Sequence, residues 1–396
     1  MQHLRKLILK KNQERRIKSG HLWIYSNEVD VEKTPLSLFN PGEMVNIEDS
    51  KSKFIGSAYI NPHTLLCARL LTNSRSPNFD QALMTQRLHA ALLLREQFFK
   101  LPFYRWVYGE SDFLPGLVID RYQHYIVVQI NTAGMELLKT QILEAILQIV
   151  KPRGVLFRND SRSRAIEGLS SYVELAFGEV PEEIEIVENE AKFNISLWKG
   201  QKTGWFFDHR NNRSWVKHFA AGKRVLDLFS YVGSFSITTA LGGAKKVVAV
   251  DSSELAIQNL ERNAKLNDVS NQIITMTSEV IPALKNLNAN KEKFDVVLLD
   301  PPAFIKKRKD IKSGYQAYWR VNQLAMNLVA EGGFLISSSC SLHCSREMLL
   351  EILLQSSNAL GRPIQIIQQG HQDLDHPVHP AIPETNYLKT FFCKVW

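Results

Sequence analysis

The stretch Phe294-Asp295-Val296-Val297-Leu298-Leu299-Asp300-Pro301-Pro302-Ala303-Phe304 decides how this chain folds. Its Val/Leu run has the pattern of a strand buried on both faces of a parallel sheet. Pro301 and Pro302 lack an N–H, so the strand cannot continue past them in a central position. Asp300 is thereby held at the carboxyl end of a strand, where open α/β sheets collect their ligands. A stiff Asp-Pro-Pro corner followed by an aromatic suits the gripping of a flat heteroaromatic base. The carboxylate would take one edge of the base and the Phe304 ring one face. The plainer alternative is a loop corner whose Asp caps a helix.

Outward from this strand, the chain from about residue 191 alternates strands and helices. Strands are expected at Arg224–Phe229, Lys246–Asp251, Ile273–Thr277, Asp295–Asp300, Gly333–Ser338, Ile364–Gln368 and Tyr387–Lys394. Helices are expected at Gly233–Leu241, Ser253–Leu266, Tyr315–Ala330 and Ser345–Ser356. That alternation predicts an α/β domain over 191–396 built on a doubly wound parallel sheet. Residues 1–74 read differently, as short strands at Leu4–Leu9, Met44–Asp49, Ile55–Ile60 and Leu65–Leu71 divided by turn residues, a small β-barrel-like module. Ser74–Asp80 reads as a linker. Residues 75–190 predict a central α+β domain in the order strand, strand, helix, strand, strand, and close on a Glu-rich stretch.

The 396 residues support two or three domains. No apolar run approaches the roughly 18 residues that a membrane span needs, and the N-terminus shows no secretory signal, so no membrane partner is expected. Cys67, Cys340, Cys344 and Cys393 are scattered, which speaks against a disulfide framework and for a reducing, cytoplasmic setting. Lys and Arg number 48 against 40 Asp and Glu, a net charge of +8 that favours a polyanionic partner. The basic residues cluster in Met1–Lys18, in Lys151, Arg153, Arg158, Arg162 and Arg164, and in Lys306, Lys307, Arg308, Lys309 and Lys312 directly after the Asp-Pro-Pro corner. One such run alone is ordinarily a solvated face; three of them, one beside Asp300, point to phosphate binding.

Val225-Leu226-Asp227-Leu228-Phe229-Ser230-Tyr231-Val232-Gly233 is a strand running into a loop and a helix. The dinucleotide fingerprint is absent, since only Gly233 occupies the turn, and Asp227 would repel a pyrophosphate. An acid there suits a cationic amino-acid ligand. Asp251, with Ser252 behind it, ends the next strand, where a carboxylate can accept ribose hydroxyls. Ser278 and Glu279 end the third, placed to meet an adenine edge. Asp300 and Pro301 complete the series. Acids and polar groups at four successive strand ends describe a site for S-adenosylmethionine, with Ser230, Tyr231 and Gly233 as the loop that wraps it.

On these motifs the chain resembles class I methyltransferases and, more specifically, the bacterial ribosomal RNA large subunit methyltransferase I family, whose members form 5-methylcytosine. The resemblance spans essentially the whole chain. Gly20-His21-Leu22-Trp23-Ile24-Tyr25 looks like that family's RNA-binding PUA domain, and Gly109 to Tyr122 is similar to the signature of its central domain. Gly200-Gln201-Lys202-Thr203-Gly204-Trp205-Phe206-Phe207-Asp208-His209-Arg210 is similar to the motif before its cofactor strand, and Asp375-His376-Pro377-Val378 to one of its loops. The resemblance implies a Rossmann-like methyltransferase domain and large-subunit ribosomal RNA as partner. It implies cofactor contacts by Thr203, Phe206, Asp208 and Arg210, with a salt bridge to Asp208 as the plainer role of Arg210. Glu279 departs from the more usual Asp. The sequence leaves the oligomeric state open, a homodimer included.

The strand Gly333–Ser338 runs on through Ser339 to Cys340, and a helix follows near Ser345. A thiol facing a helix N-terminus is placed to act as a thiolate. Cytosine carbon 5 is a poor nucleophile, so its methylation needs covalent activation at carbon 6, which Cys340 would supply while Asp300 holds the N3 edge. Ser339-Cys340-Ser341 is similar to the nucleophile motif of RNA cytosine-5 methyltransferases, although no second Cys follows the Asp-Pro-Pro. His343, Cys344 and His376 are candidates for releasing the adduct. Phe304, Lys306, Lys307 and Arg308 are candidates for contact with the RNA. A guanine-modifying enzyme, which would not need Cys340, and a non-catalytic RNA-binding assembly factor are the competing readings.

Overall fold

Phe294–Leu299 does form a buried strand, and the sheet around it can be followed in a computed structural model that describes residues 4–73 and 81–396. The expected linker Ser74–Asp80 lies outside the described residues. The chain divides into two units. One comprises residues up to Ile184 with Ser196–Trp205 and Leu374–Thr385; the other comprises Glu185–Ile195, Phe206–Asp373 and Asn386–Trp396.

The first unit carries two five-stranded sheets. Strands β1 (Arg5–Ile8), β2 (Trp23–Tyr25), β3 (Met44–Glu48), β4 (Phe54–Ile60) and β5 (Leu66–Thr72) pair in the order β1-β3-β4-β5-β2 around a core of Leu7, Ile24, Val45, Ile47, Ala58 and Ala68. Strands β6 (Phe103–Tyr108), β7 (Leu117–Tyr122), β8 (Tyr125–Ile130), β9 (Gly154–Asn159) and β10 (Tyr172–Gly178) pair in the order β10-β9-β8-β7-β6. The helices Gln81–Glu96 and Lys139–Val150 bring Leu88, Leu92, Ile142 and Ile146 into the core with Trp106, Ile126 and Phe157. The sequence had suggested four strands here; β6 is a fifth. Buried ion pairs tie this unit together. Arg95 meets Asp112 at 2.5 Å and Arg164 meets Glu136 at 2.8 Å, while Arg158 reaches the Leu197 carbonyl at 2.6 Å. Arg158 and Arg164, counted from the sequence as part of a phosphate-seeking cluster, are thus interior residues with internal partners.

A two-stranded ribbon, β11 (Glu183–Glu188) and β12 (Ala191–Ser196), follows. The second unit is built on a seven-stranded sheet of β13 (Arg224–Leu228), β14 (Lys246–Asp251), β15 (Ile273–Thr277), β16 (Phe294–Leu299), β17 (Val329–Ser339), β18 (Ile364–Gly370) and β19 (Lys389–Val395). Their order is β15-β14-β13-β16-β17-β19-β18. The first five are parallel; β19 runs antiparallel between β17 and β18. Strand order reverses between β13 and β16, and a crevice opens at the carboxyl ends of such a switch point. Leu226, Leu228, Val250, Val297, Leu299 and Leu335 form the sheet's share of the core, against Tyr318, Val321, Leu349 and Ile352 from the helices Ile311–Leu328 and Arg346–Leu360. Among the described residues, no helix is long and apolar enough to cross a membrane.

Candidate active site

The loop after β13 is shaped by conformations that most residues avoid. Phe229 and Tyr231 both take a left-handed backbone, with φ of 66° and 49°, and Gly233 follows at 87°. Such strain in non-glycine residues persists only where the surroundings fix it, and it concentrates at ligand sites. Gly233 is required twice over, because a Cβ there would lie 2.6 Å from Leu260 Cγ. The loop is fastened to the next strand end. Asp251 accepts the Tyr231 N–H at 2.9 Å and the Ser253 N–H at 2.9 Å, and Ser230 N–H donates to the Val250 carbonyl at 3.0 Å. Ser230 Oγ is buried and has no hydrogen-bond partner among the described residues. A buried hydroxyl is seldom left unbonded, so it marks a place for a ligand atom.

Asp227 lies within β13 and is almost fully buried, with Ser236 Oγ donating to it at 2.6 Å. Burial, reinforced by the nearby charges of Asp300 and Asp251, pushes its carboxyl up to about 7 against the opposing Ser236 bond. A buried acid in that condition favours a cationic neighbour. Ser252 and Glu279 are exposed, and Ser278 N–H closes onto the Asp251 carbonyl at 2.9 Å. The residues thus offer two carboxylates, an unbonded hydroxyl and a tight loop, a donor set that fits an amino-acid-bearing nucleoside.

Of the motif before β13, Phe206, Asp208 and Arg210 belong to this unit, whereas Thr203 belongs to the first unit. There Thr203 is buried, hydrogen-bonded through its hydroxyl to Asp120, and accepts from Tyr122 through its carbonyl at 3.2 Å. Phe206 packs edge-on against Tyr231 with ring centroids 5.7 Å apart. Asp208 is buried and accepts the Tyr387 hydroxyl. Arg210 pairs with Asp373 at 3.4 Å and Glu188 at 3.5 Å and lies over the Phe207 ring. His209, which the sequence reading left without a role, is buried with Nε2 only 3.2 Å from Asp300 Oδ1. No local pattern marks it, because its partner comes from a distant strand.

Strands β16 and β17 are adjacent and parallel, with Leu299 level with Ser337, so Asp300 and Cys340 both emerge at the same edge. A hydroxyl cluster fixes the two corners against each other. Ser341 Oγ accepts the Ile305 N–H at 3.2 Å and lies 2.8 Å from the Tyr318 hydroxyl, which also accepts from Ser339 Oγ at 2.9 Å. The Cys340 thiol donates to the Pro301 carbonyl at 4.0 Å. Cys340 is the one partly exposed cysteine of the four. Burial pushes the Cys67 and Cys393 thiols up to about 12 and raises that of Cys344, which disfavours a thiolate at all three. Phe304 packs between Tyr318 and Phe229, at 4.8 and 6.5 Å, while Lys306, Lys307 and Arg308 project into solvent. Among the residues considered for adduct release, Cys344 is buried. His376 belongs to the first unit, held by Asp375 at 2.7 Å and Arg105 at 3.0 Å.

This is the fold and the strand-end site of a Rossmann-like methyltransferase, and the relatives of the chain agree. The family model for S-adenosylmethionine-dependent methyltransferases matches residues 160–363, and that for PUA-like domains matches residues 7–73. The ribosomal RNA large subunit methyltransferase I proteins of Yersinia pestis and Yersinia pseudotuberculosis are 34% identical, covering 98% of this chain and 99% of theirs. The chain therefore belongs to the ribosomal RNA large subunit methyltransferase I family of S-adenosylmethionine-dependent enzymes. Among solved structures, SMU.776 in complex with SAH superposes with a TM-score of 0.86 at 22% identity, over 99% of this chain and 100% of that one. The M. jannaschii tRNA m1G37 methyltransferase shares the fold more distantly, with a TM-score of 0.52 at 16% identity over 78% of each chain.

Proposed function

We propose that the protein methylates carbon 5 of a cytosine in 23S ribosomal RNA through a transient covalent bond to Cys340. The observation that carries this reading is the accessible Cys340 thiol beside the Asp300-Pro301 corner. A guanine-modifying site would have no use for a nucleophile there. The names of the relatives supply the class of RNA.

On this reading Asp251 takes the ribose of the cofactor and Asp227 its ammonium group, with Ser230 and the Phe229–Gly233 loop around them. Phe206, Asp208 and Arg210 complete the pocket. S-adenosylmethionine supplies an electrophilic methyl group and a sulfur that leaves with the bonding pair. The Cys340 thiolate adds its electron pair to carbon 6 of the base, which moves the carbon 5–carbon 6 π pair onto carbon 5. Asp300 holds the N3 edge, so that charge developing on the ring meets a fixed partner. Carbon 5 then takes the methyl group. A base removes the carbon 5 proton, the double bond re-forms, and the carbon 6–sulfur pair returns to Cys340. Phe304 and the basic residues Lys306, Lys307 and Arg308 meet the RNA.

The test is transfer of labelled methyl from S-adenosylmethionine to 23S ribosomal RNA of cells lacking the enzyme, with nucleoside analysis, for wild type and Cys340→Ala. Label in 5-methylcytosine that vanishes in the variant is the expected result. Label in a methylated guanine that survives the variant would overturn it, and RNA binding without any transfer would make the protein a non-catalytic factor.

A further inference from the structure

Burying a cation is costly unless an anion accompanies it. Four of the five buried Lys and Arg residues among the described residues obey this rule. Arg95 has Asp112, Arg158 has Asp160, Arg164 has Glu136 and Arg213 has Glu188. Lys389 is the exception. Only 6% exposed, it has no carboxylate partner among the described residues. Its Nζ instead donates to the Ser341 carbonyl at 2.7 Å. Lys389 opens β19 directly across from Ser339 of β17, so register places it under the turn that carries Cys340.

Burial works against the Lys389 ammonium and holds it below the usual lysine range; the charges of the Cys344 and Cys340 thiols oppose that, and Arg346 adds to it. Cys344 is buried and its thiol is held up by burial, and Arg346 is itself a cation, bonded to Gln369 and the Gly370 carbonyl. Cys340 is left as the group that can both ionise and face solvent. The Tyr318 phenol also acts on Cys340, and the neighbouring strand end carries Asp300 paired with His209. A carboxylate at that edge would by itself oppose a thiolate.

We propose that Lys389 is the built-in counter-charge that keeps Cys340 ionised, a positioning residue that acts through the thiol and does not touch the base. The proposal rests on Cys340 being the nucleophile and explains how a thiol can ionise beside an acidic corner. It also explains why the fold tolerates an otherwise unpaired buried ammonium: functional sites retain such costs.

The test is the rate of alkylation of Cys340 by iodoacetamide across pH, read at its peptide by mass spectrometry on the full chain. Wild type should show a midpoint below the ordinary thiol value of about 8.5. Lys389→Gln keeps a donor for the Ser341 carbonyl but loses the charge, and should alkylate about tenfold more slowly near neutral pH, a shift of about one unit. Lys389→Arg should stay closer to wild type. Cys67 and Cys393 serve as internal controls, since their alkylation reports unfolding. A wild-type midpoint at or above the free-thiol value would overturn the proposal whether or not the variants fold, as would a Lys389→Gln curve superposable on wild type. The reading it rests on fails separately: methylation by Cys340→Ala, with wild-type Cys340 still showing the lowered midpoint, would leave an ionised thiol that is not the nucleophile.

Discussion

His209 Nε2 lies 3.2 Å from Asp300 Oδ1, joining the start of the helix Arg210–Ala220 to the carboxyl end of β16. Burial pulls the imidazole pKa down, but the charge and hydrogen bond of Asp300, helped by Asp208, outweigh it and leave His209 raised. The pair thereby fixes the orientation of the carboxylate proposed to meet the base.

A raised histidine stabilises the fold below its ordinary pKa of 6.5, and that contribution is lost as pH rises through the raised value. His209→Gln can still donate to Asp300 but carries no charge. It should melt below wild type at about pH 6, with the gap narrowing as pH rises through the raised value. Methyl transfer should fall by about 10- to 100-fold from loss of alignment. A melting difference that does not change with pH would show that the pair is not ionic.

Asp227 runs in the opposite sense. Its carboxyl is pushed up to about 7 in the fold from an ordinary 3.8, so the unfolded chain releases its proton first. Stability is therefore lost as pH rises across that window, and the full penalty stands above it. Asp227→Asn removes the penalty. The cofactor-free variant should melt at or above wild type near pH 8, with the advantage shrinking near pH 4, while affinity for S-adenosylmethionine should drop. Calorimetric titration alongside thermal melts checks both halves. A variant that melts lower near pH 8 would mean that the Ser236 bond, and not the charge, dominates at this position.

The sheet was legible because its strands are apolar runs ended by punctuation: Pro301 after β16, the acid Asp251 as the last residue of β14. What escaped notice had no such pattern. The strand β2 is only three residues, and β6 reads Phe-Tyr-Arg-Trp-Val-Tyr, with Arg105 interrupting the aromatics. The helix Val280–Ala289 carries Pro282 in its first turn, and the helix Arg210–Ala220 is largely polar and buries Asn212 and Arg213 beside Val216 and Ala220, so counting apolar residues does not reveal its buried face. The position of Asp300 and Cys340 at strand ends could be read from sequence because an apolar run precedes each. The partners of His209 and Lys389 could not, since each is supplied by another element. The same limit explains Arg158 and Arg164: charge along the chain does not tell a solvated face from a buried pair.

Ser341 holds the Asp300 and Cys340 corners together, accepting the Ile305 N–H and sharing a hydrogen bond with Tyr318. Removing its hydroxyl leaves a buried N–H without its acceptor. Ser341→Ala should cost about 1–3 kcal/mol of stability. It should lower kcat with little change in cofactor affinity, because the loop after β13 makes no use of it. Equal losses in kcat and in S-adenosylmethionine binding would show that the hydroxyl cluster supports the whole sheet edge and not the Asp300–Cys340 alignment.

Lys306, Lys307 and Arg308 are exposed, directly follow the Phe304 corner, and none forms a side-chain ion pair among the described residues. Nothing in the fold requires three adjacent cations there, and their mutual repulsion is a small cost. Phosphates would repay it. Each phosphate contact on a single strand adds about 0.7 to the slope of log affinity against log salt. Replacing all three by Ala should therefore lower that slope by about 2, weaken RNA binding most at low salt, and leave the melting temperature unchanged. Binding of 23S ribosomal RNA by wild type and variant, measured at several salt concentrations, decides the matter. An unchanged slope would move the phosphate grip away from this corner, and Asp300 and Cys340 would then have to receive a base delivered by contacts elsewhere on the chain.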